Sequence, residues 1–156
     1  MSEHHYQTSL HWTGNTGQGT QRYTSYARDH EISGPNKLAT IPGSSDPYFR
    51  GDPGRYNPEE LLLAALSACH MLSYLHQCAV NGVVVAAYED NAEGAMVETA
   101  DGAGHFTAAI LRPSVTIAPG SDPAKALHLH DEAARLCFIA NSVRFPVTHQ
   151  PTINML

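Results

Sequence analysis

Three cysteine residues are the side chains in this sequence best suited to chemistry. Cys69, Cys78 and Cys137 are widely separated in a chain of 156 residues. Three thiols are too few for a disulfide scaffold, and an odd number argues against a fully paired secreted protein. Because a free cysteine often packs as a small hydrophobe, we interpret Cys78 as a packing residue. Cys69 and Cys137 are the candidates for a functional site.

Two kinds of chemistry suit such thiols, metal binding and redox turnover. The sequence has no Cys-x-x-Cys pair, and His128 and His130 would lie about 200° apart on a helix, which disfavours zinc. In the redox alternative, a low-pKa thiolate attacks a peroxide and becomes a sulfenic acid, which a second cysteine captures as a disulfide. An arginine held by a carboxylate would stabilise that thiolate. We therefore expect neither a metal nor an organic cofactor.

The element that carries Cys69 has the clearest signals in the sequence. Asn57 is a favoured N-cap, Pro58 fits the first helical turn, and Glu60 completes a capping box. The apolar run that follows predicts one long helix that stops at Gly82. Because polar residues interrupt this run, we interpret it as a buried central helix rather than a membrane span.

Strands, turns and a second helix make up the rest of the predicted order. The turn residues and apolar patterns predict a hairpin over residues 6–32 and a long surface segment over 33–56. Strands over residues 83–117 flank turns near 90–94 and 99–104. A helix over 121–140 and a closing strand over 143–153 follow. Cys137 falls near the end of the second helix. The order predicts a single α+β domain over residues 1–156.

A buried central helix must be covered on every side. One sheet covers only one face, and a domain of this size has little else with which to cover the others. Packing alone therefore predicts either a second sheet or a second copy of the chain, and we expect a homodimer.

Composition excludes several classes of function. The formal net charge is -6 with histidine neutral, from 9 Lys+Arg and 15 Asp+Glu, which leaves no basic surface for a nucleic-acid backbone. No Gly-Lys-Ser/Thr follows the glycines near the N-terminus, so they do not indicate a phosphate-binding loop. No signal peptide is visible and the thiols suit a reducing compartment, so we expect a cytoplasmic protein that binds neither nucleic acid nor membrane.

The residues around the two candidate cysteines resemble a known family. The sequence resembles the osmotically inducible protein/organic hydroperoxide resistance family (OsmC/Ohr), in its OsmC-like branch. The resemblance lies in Asn57-Pro58-Glu59-Glu60-Leu61, then Ala64-Ala65 and Ser67-Ala68-Cys69, and in Cys137 near a closing strand. The resemblance implies an intertwined α+β homodimer whose long central helices and second helices pack with antiparallel β-sheets. It also implies a thiol peroxidase that reduces organic hydroperoxides with dithiol, typically lipoyl-type, reductants.

The resemblance assigns roles to individual residues. Cys69 matches the peroxidatic cysteine, Cys137 the resolving cysteine, and Glu59 the carboxylate that positions an arginine. The arginine that this branch carries just ahead of the Asn-Pro-Glu motif corresponds to Arg50. The other branch carries it on an early strand, which leaves two alternatives, Arg28 and Arg22.

Helix geometry separates two of these residues. Glu59 and Cys69 are ten positions apart, which on one straight helix corresponds to about 15 Å along the axis and about 80° around it. They cannot touch within one chain, so either a long arginine bridges them or Glu59 comes from the partner helix.

Two positions depart from the common family pattern. His70 follows the first cysteine where an aromatic residue is frequent, and Phe138 follows the second where proline is frequent. The lining of the site and the preferred peroxide therefore stay open. The alternative function is a non-enzymatic stress-response, small-ligand-binding or redox-sensing module on the same fold.

Overall fold

The computed structural model of the protein describes residues 1–156. The chain forms two compact units, Met1–Leu61 and Leu62–Leu156. The single domain expected over residues 1–156 stays a prediction.

The first unit contains a three-stranded antiparallel sheet. Its strands are β1 (Ser9–Trp12), β2 (His30–Ser33) and β3 (Ile41–Gly43), hydrogen-bonded in the order β1-β2-β3. The predicted hairpin over residues 6–32 is present as β1 and β2, but its connection is a long loop rather than a tight turn. The indole N–H of Trp12 donates to the carbonyl of Ala27 at 2.9 Å and closes the base of this loop. The surface segment after β2 contains β3 and a short 3-10 helix, Pro47–Phe49.

The long helix α1 (Pro58–Val80) starts where the sequence predicts. The N–H of Glu60 donates to Oδ1 of Asn57 at 2.8 Å, and the N–H of Asn57 donates to Oε2 of Glu60 at 3.0 Å, so the capping box is confirmed. At the other end, Gly82 adopts a left-handed φ of 74°, which favours glycine just past a helix.

Removing the N-cap should destabilise the protein measurably. We expect Asn57→Ala to lower the free energy of unfolding by about 1 kcal/mol, because the backbone N–H of Glu60 loses its side-chain acceptor. Urea unfolding at fixed protein concentration measures the change. Asn57→Ser retains a capping oxygen and should lose much less; an equal loss in both variants would contradict the capping explanation.

One stripe of α1 is buried. Leu66, His70, Tyr74 and Cys78 are spaced four residues apart and face the interior of the second unit. The other side of the helix exposes apolar residues, among them Leu72 with 63% of its surface accessible. By length and composition alone, α1 is also apolar enough to cross a membrane, a test that core helices of soluble proteins pass as well.

Two mixed sheets and a second helix form the rest of the second unit. The strands are β4 (Val85–Asp90), β5 (Glu93–Glu98), β6 (Gly104–Leu111), β7 (Pro113–Ile117), β8 (Val147–His149) and β9 (Thr152–Met155). One sheet has the strand order β4-β7-β9 and the other has the order β5-β6-β8. The pairs β4–β7 and β5–β6 are antiparallel, as expected, whereas β6–β8 and β7–β9 are parallel, so both sheets are mixed. The physical reason is the helix α2 (Pro123–Leu136), which supplies the crossover that parallel neighbours require.

Several predicted boundaries differ from the structure. The segment after the turn at 99–104 forms two strands, β6 and β7, because the chain breaks at Arg112, whose backbone N–H donates to Oδ1 of Asp90 at 2.7 Å. The closing strand is likewise divided into β8 and β9. The helix α2 begins at its predicted cap, where Asp122 accepts two backbone N–H bonds, but it ends at Leu136. Cys137 therefore lies at the end of α2 and not inside it.

The core of the second unit is built from both helices and the sheet β4-β7-β9. Its members are fully or almost fully buried side chains, namely Tyr74, Cys78, Val83, Val115, Ile117, Ala126, Leu129 and Ala133. Burial raises the pKa of the Cys78 thiol, which keeps it neutral. Cys78 is thus part of the apolar core, as expected for a packing residue.

Candidate functional site

The fold brings two of the predicted site residues together. Cys69 lies midway along α1 and is half-buried, whereas Cys137 follows α2 and is only 1% exposed. Both thiols are free, and the thiol of Cys69 is a hydrogen-bonding neighbour of Cys137. Two residues far apart in sequence, one on α1 and the other just after α2, therefore lie together in the second unit.

An open apolar pocket lies in front of Cys69. Its volume is about 610 Å³. One wall is a face of α1 and the other is the chain that leaves α2, and the lining residues are Ala65, Ala68, Cys69, Leu72, Ser73, His76, Gln77, Leu136 and Phe138. The pocket is large enough for an organic molecule and its walls are mainly apolar.

Cys137 lies behind this pocket in a different environment. Burial, followed by the neighbouring thiol of Cys69, raises the pKa of Cys137 to about 11. The backbone N–H of Ala140 approaches its sulfur at 3.5 Å. Cys137 is therefore a neutral thiol at neutral pH and becomes a nucleophile only when a base removes its proton.

This environment predicts slow alkylation of Cys137. A pKa of about 11 instead of 9 leaves about one hundredth as much thiolate at pH 8, so iodoacetamide should modify native Cys137 about 100-fold more slowly than the urea-unfolded chain. Peptide mass spectrometry of the wild-type protein follows the Cys137 peptide separately from the peptide that carries Cys69. Equal rates in native and unfolded protein would contradict the burial described here.

His70 does not line the pocket of Cys69. It is 2% exposed and its Nε2 atom lies 3.0 Å from Nδ1 of His130, on α2. Phe138, in contrast, is 77% exposed and forms part of the pocket wall. Of the two departures from the common family pattern, only Phe138 therefore changes the surface that a substrate would meet.

The buried histidines form a group that sequence reasoning missed. The rings of His70 and His130 are nearly parallel, with 8° between their planes and centroids 5.3 Å apart, and Tyr74 stacks on His130 with centroids 3.7 Å apart. Burial lowers the pKa of His70 to about 4 and that of His130 to about 3. His149, on β8, lies 5.5 Å from His70 by ring centroids, and its Nε2–H donates to Oδ1 of Asp131 at 3.0 Å.

Only part of this histidine group could have been found from the sequence. The four-residue spacing of His70 from Leu66 and Tyr74 would have placed His70 on the buried stripe. Nothing local indicates that His130 and His149 meet it there. No group of three or more His, Cys, Asp or Glu side chains is arranged to hold a metal ion.

The remaining predicted site residues belong to the first unit. Glu59 is half-buried and forms no ion pair, and Arg50 and Arg22 are exposed and unpaired. Arg50 adopts a left-handed φ of 67° at the end of the 3-10 helix. Arg28 lies over the rings of Tyr23 and Tyr26, with distances of 4.3 and 4.1 Å to their centroids. The predicted ion pair between Glu59 and an arginine is thus not formed within one chain.

The best-paired arginine of the first unit is one that sequence reasoning did not consider. Arg55 forms ion pairs with Asp29 at 3.5 Å, Glu31 at 3.1 Å and Asp52 at 3.9 Å. Hydrogen bonds from Thr40 and Arg55 lower the pKa of Glu31. These partners engage Nε and Nη1 of Arg55 and tie together β2 and the segment that leads into α1.

Comparisons with known proteins identify the family of this fold. A family model described as OsmC-like protein matches residues 51–152. No curated protein matches the chain. An OsmC-like protein of unknown function from Vibrio cholerae is 30% identical, with a TM-score of 0.84 over 97% of this chain and 100% of that one.

More distant solved structures share the fold. The organic hydroperoxide resistance protein OsmC from Legionella pneumophila is 16% identical, with a TM-score of 0.70 and 99% coverage of both chains. An organic hydroperoxide resistance protein from Elizabethkingia anophelis, with thiocyanate bound, is 16% identical, with a TM-score of 0.67 over 99% of this chain and 100% of that one. The family model, the Vibrio relative and the helix that carries Cys69 together show that this chain belongs to the OsmC-like family.

Proposed function

We propose that this protein is a thiol-dependent peroxidase that reduces organic hydroperoxides. The observation that carries the proposal is the pair of free, neighbouring thiols, one lining an apolar pocket and the other buried behind it. Relatives with the same fold include organic hydroperoxide resistance proteins. The chemistry needs no organic cofactor, because the sulfur atoms themselves carry the electrons.

The reaction proceeds in three balanced steps. The Cys69 thiolate attacks the distal peroxide oxygen, the O–O bond breaks, and the alkoxide leaves and takes up a proton as an alcohol. Cys137 then attacks the Cys69 sulfenic acid, which forms a disulfide and releases water. A dithiol of the lipoyl type reduces that disulfide and becomes oxidised itself.

The pocket determines which peroxides are preferred. Its walls near Cys69 include Leu72 and Phe138, which can cover the organic group of a substrate. Burial of apolar surface contributes roughly 25 cal/mol per Å², and hydrogen peroxide has no such surface to bury. Alkyl and aryl hydroperoxides are therefore the preferred substrate class, ahead of hydrogen peroxide.

A homodimer completes the site in this proposal. Glu59 has no cationic partner and Arg50 has no anionic partner in the single chain, so Glu59 is free to hold Arg50, or else Arg28 or Arg22, in the assembled protein. The exposed apolar side of α1, including Leu72, supports association with a second copy. The cation would stabilise the Cys69 thiolate and orient the peroxide. We place this reaction in the reducing cytoplasm.

Subunit mixing tests whether the site is shared. Dimers that combine Cys69→Ser with Glu59→Ala subunits should recover activity that neither parent shows, because one of the two sites then holds both native residues. Light scattering first checks that the protein is dimeric. A stable monomer of about 17 kDa, or a mixture as inactive as its parents, would contradict the shared site.

Steady-state turnover tests the enzymatic proposal itself. Wild-type protein should consume cumene hydroperoxide with dihydrolipoamide as reductant, and should use hydrogen peroxide less efficiently. Cys78→Ala serves as a matched control, because Cys78 is buried in the core away from the pocket, and it should retain turnover. A wild-type protein that forms the disulfide but shows no thiol-dependent turnover would instead be a redox-sensing module.

A further inference from the structure

A second, smaller cavity lies on the inner side of Cys137. Its volume is about 30 Å³, which is enough for one water molecule. Four of its lining residues carry exchangeable protons, namely His70, Cys137, Thr148 and His149, and the rest of the lining is Leu66, Leu111, Ala134, Ala140 and Val147. Cys137 thus shares this cavity with two imidazole groups and also neighbours Cys69.

The hydrogen bond between the buried histidines defines which nitrogen is available. Nε2 of His70 is engaged with Nδ1 of His130, so Nδ1 is the atom of His70 that remains for another partner. When His70 donates in this bond, its Nδ1 is unprotonated and can accept a proton. Nε2 of His130 is buried with no hydrogen-bond partner. A buried polar atom without a partner lowers the stability of the fold.

We propose that His70, paired with His130, accepts the proton of Cys137 across this cavity when Cys137 attacks the Cys69 sulfenic acid. The proposal rests on the peroxidase function and adds a base for its second step. The S–H bond of Cys137 breaks and its proton passes to His70 directly or through one water. The new S–S bond forms as the S–O bond of Cys69 breaks, and the departing hydroxide takes the proton back as water. The sulfur of Cys137 is oxidised and that of Cys69 is reduced.

The charges around the cavity suit a transient proton transfer. Separately, each group stays neutral, because burial raises the pKa of Cys137 and lowers that of His70. Transfer creates a thiolate and an imidazolium together, and their mutual attraction offsets part of the cost of charging two buried groups, so the charged pair exists only briefly. The carboxylate of Asp90 raises the pKa of His70, and the carboxylate of Asp131 raises the pKa of His130. The neighbouring His149 lowers the pKa of both histidines. Two carboxylates thus favour the imidazolium and one neighbouring imidazole opposes it.

The test isolates the attack of Cys137 on Cys69. Cys69 is labelled with one equivalent of 5,5′-dithiobis(2-nitrobenzoate), and the rate at which Cys137 displaces the coloured thionitrobenzoate is measured. We expect His70→Gln to slow this release about 100-fold at pH 7, the usual size of a general-base contribution. Glutamine keeps a hydrogen-bond donor for His130 but accepts no proton. His105→Gln, an exposed histidine on β6, is the matched control and should leave the rate unchanged.

The pH dependence separates proton transfer from a structural effect. With His70 as base, the wild-type rate should be nearly flat from pH 6 to 8, whereas the His70→Gln rate should rise about tenfold per pH unit because only hydroxide removes the proton. A wild-type rate that itself rises tenfold per unit overturns the proposal, even if His70→Gln fails to fold. An unchanged rate in a folded His70→Gln protein also overturns it. Because no peroxide is used, failure of the peroxidase function would appear separately, as absent hydroperoxide turnover in the wild type.

Discussion

Cys69→Ser should abolish thiol-dependent reduction of cumene hydroperoxide, with a loss of at least about 10³-fold in turnover. Cys69 is the cysteine that both lines the apolar pocket and neighbours a second thiol. A serine hydroxyl is neither ionised near neutral pH nor able to form a sulfenic acid, so the first step has no nucleophile. The substitution exchanges sulfur for oxygen at a half-buried position, and the fold should survive.

Cys137→Ser provides the informative comparison. It removes the second step and leaves the first, so one equivalent of hydroperoxide should still be consumed per chain while steady-state turnover fails. A sulfenic acid should then persist at Cys69, where mass spectrometry with a dimedone trap detects it. Turnover retained in Cys69→Ser, or no burst of consumption in Cys137→Ser, would assign the chemistry to other residues.

Acidification should destabilise the protein between about pH 6.5 and pH 4. The folded-state pKa values of His70 and His130 are about 4 and about 3, below the ordinary value of 6.5. The unfolded chain therefore binds more protons than the folded protein once the pH falls below 6.5, and stability is lost as the pH decreases. For His70 the loss is complete near pH 4, and for His130 near pH 3.

The magnitude of this effect is large for a protein of this size. At pH 5 each buried histidine should lower the free energy of unfolding by roughly 2 kcal/mol relative to neutral pH, which gives about 4 kcal/mol for the pair. Total stabilities of natural domains are about 5–15 kcal/mol. Urea unfolding at pH 7 and pH 5, at one protein concentration, measures the difference.

Single histidine variants identify the source of the pH dependence. His70→Gln should remove about half of the loss, because one of the two titrating groups is gone. His128→Gln changes an exposed histidine on the same helix as His130 and should leave the loss intact. If His70→Gln were as acid-sensitive as the wild type, the buried pair would not be the cause.

Local signals explain what was predicted correctly. The capping box at Asn57 and Glu60 and the left-handed Gly82 place the ends of α1 within two residues, and the cap at Asp122 places the start of α2. These features involve backbone groups and side chains only a few positions apart, so they can be read directly along the chain. The motif around Cys69 belongs to the same helix and indicated the family for the same reason.

Long-range packing explains what was not predicted. The parallel pairs β6–β8 and β7–β9 depend on how α2 returns the chain to the sheets, and a pattern of alternating residues does not specify the neighbour of a strand. The histidine pair is another case. His70 is recognisable as a residue of the buried stripe, but its partner is sixty positions away on another helix.

The sequence by itself determined the helix that carries Cys69, its caps, the candidate cysteines and the family. Only the tertiary structure decided that Cys137 is the buried neighbour of Cys69, and that His70 faces inward while Phe138 lines the pocket. Types and spacings within one helix fix the local geometry of a side chain. Its pKa and its partners are set by burial and by residues that meet only when distant elements pack together.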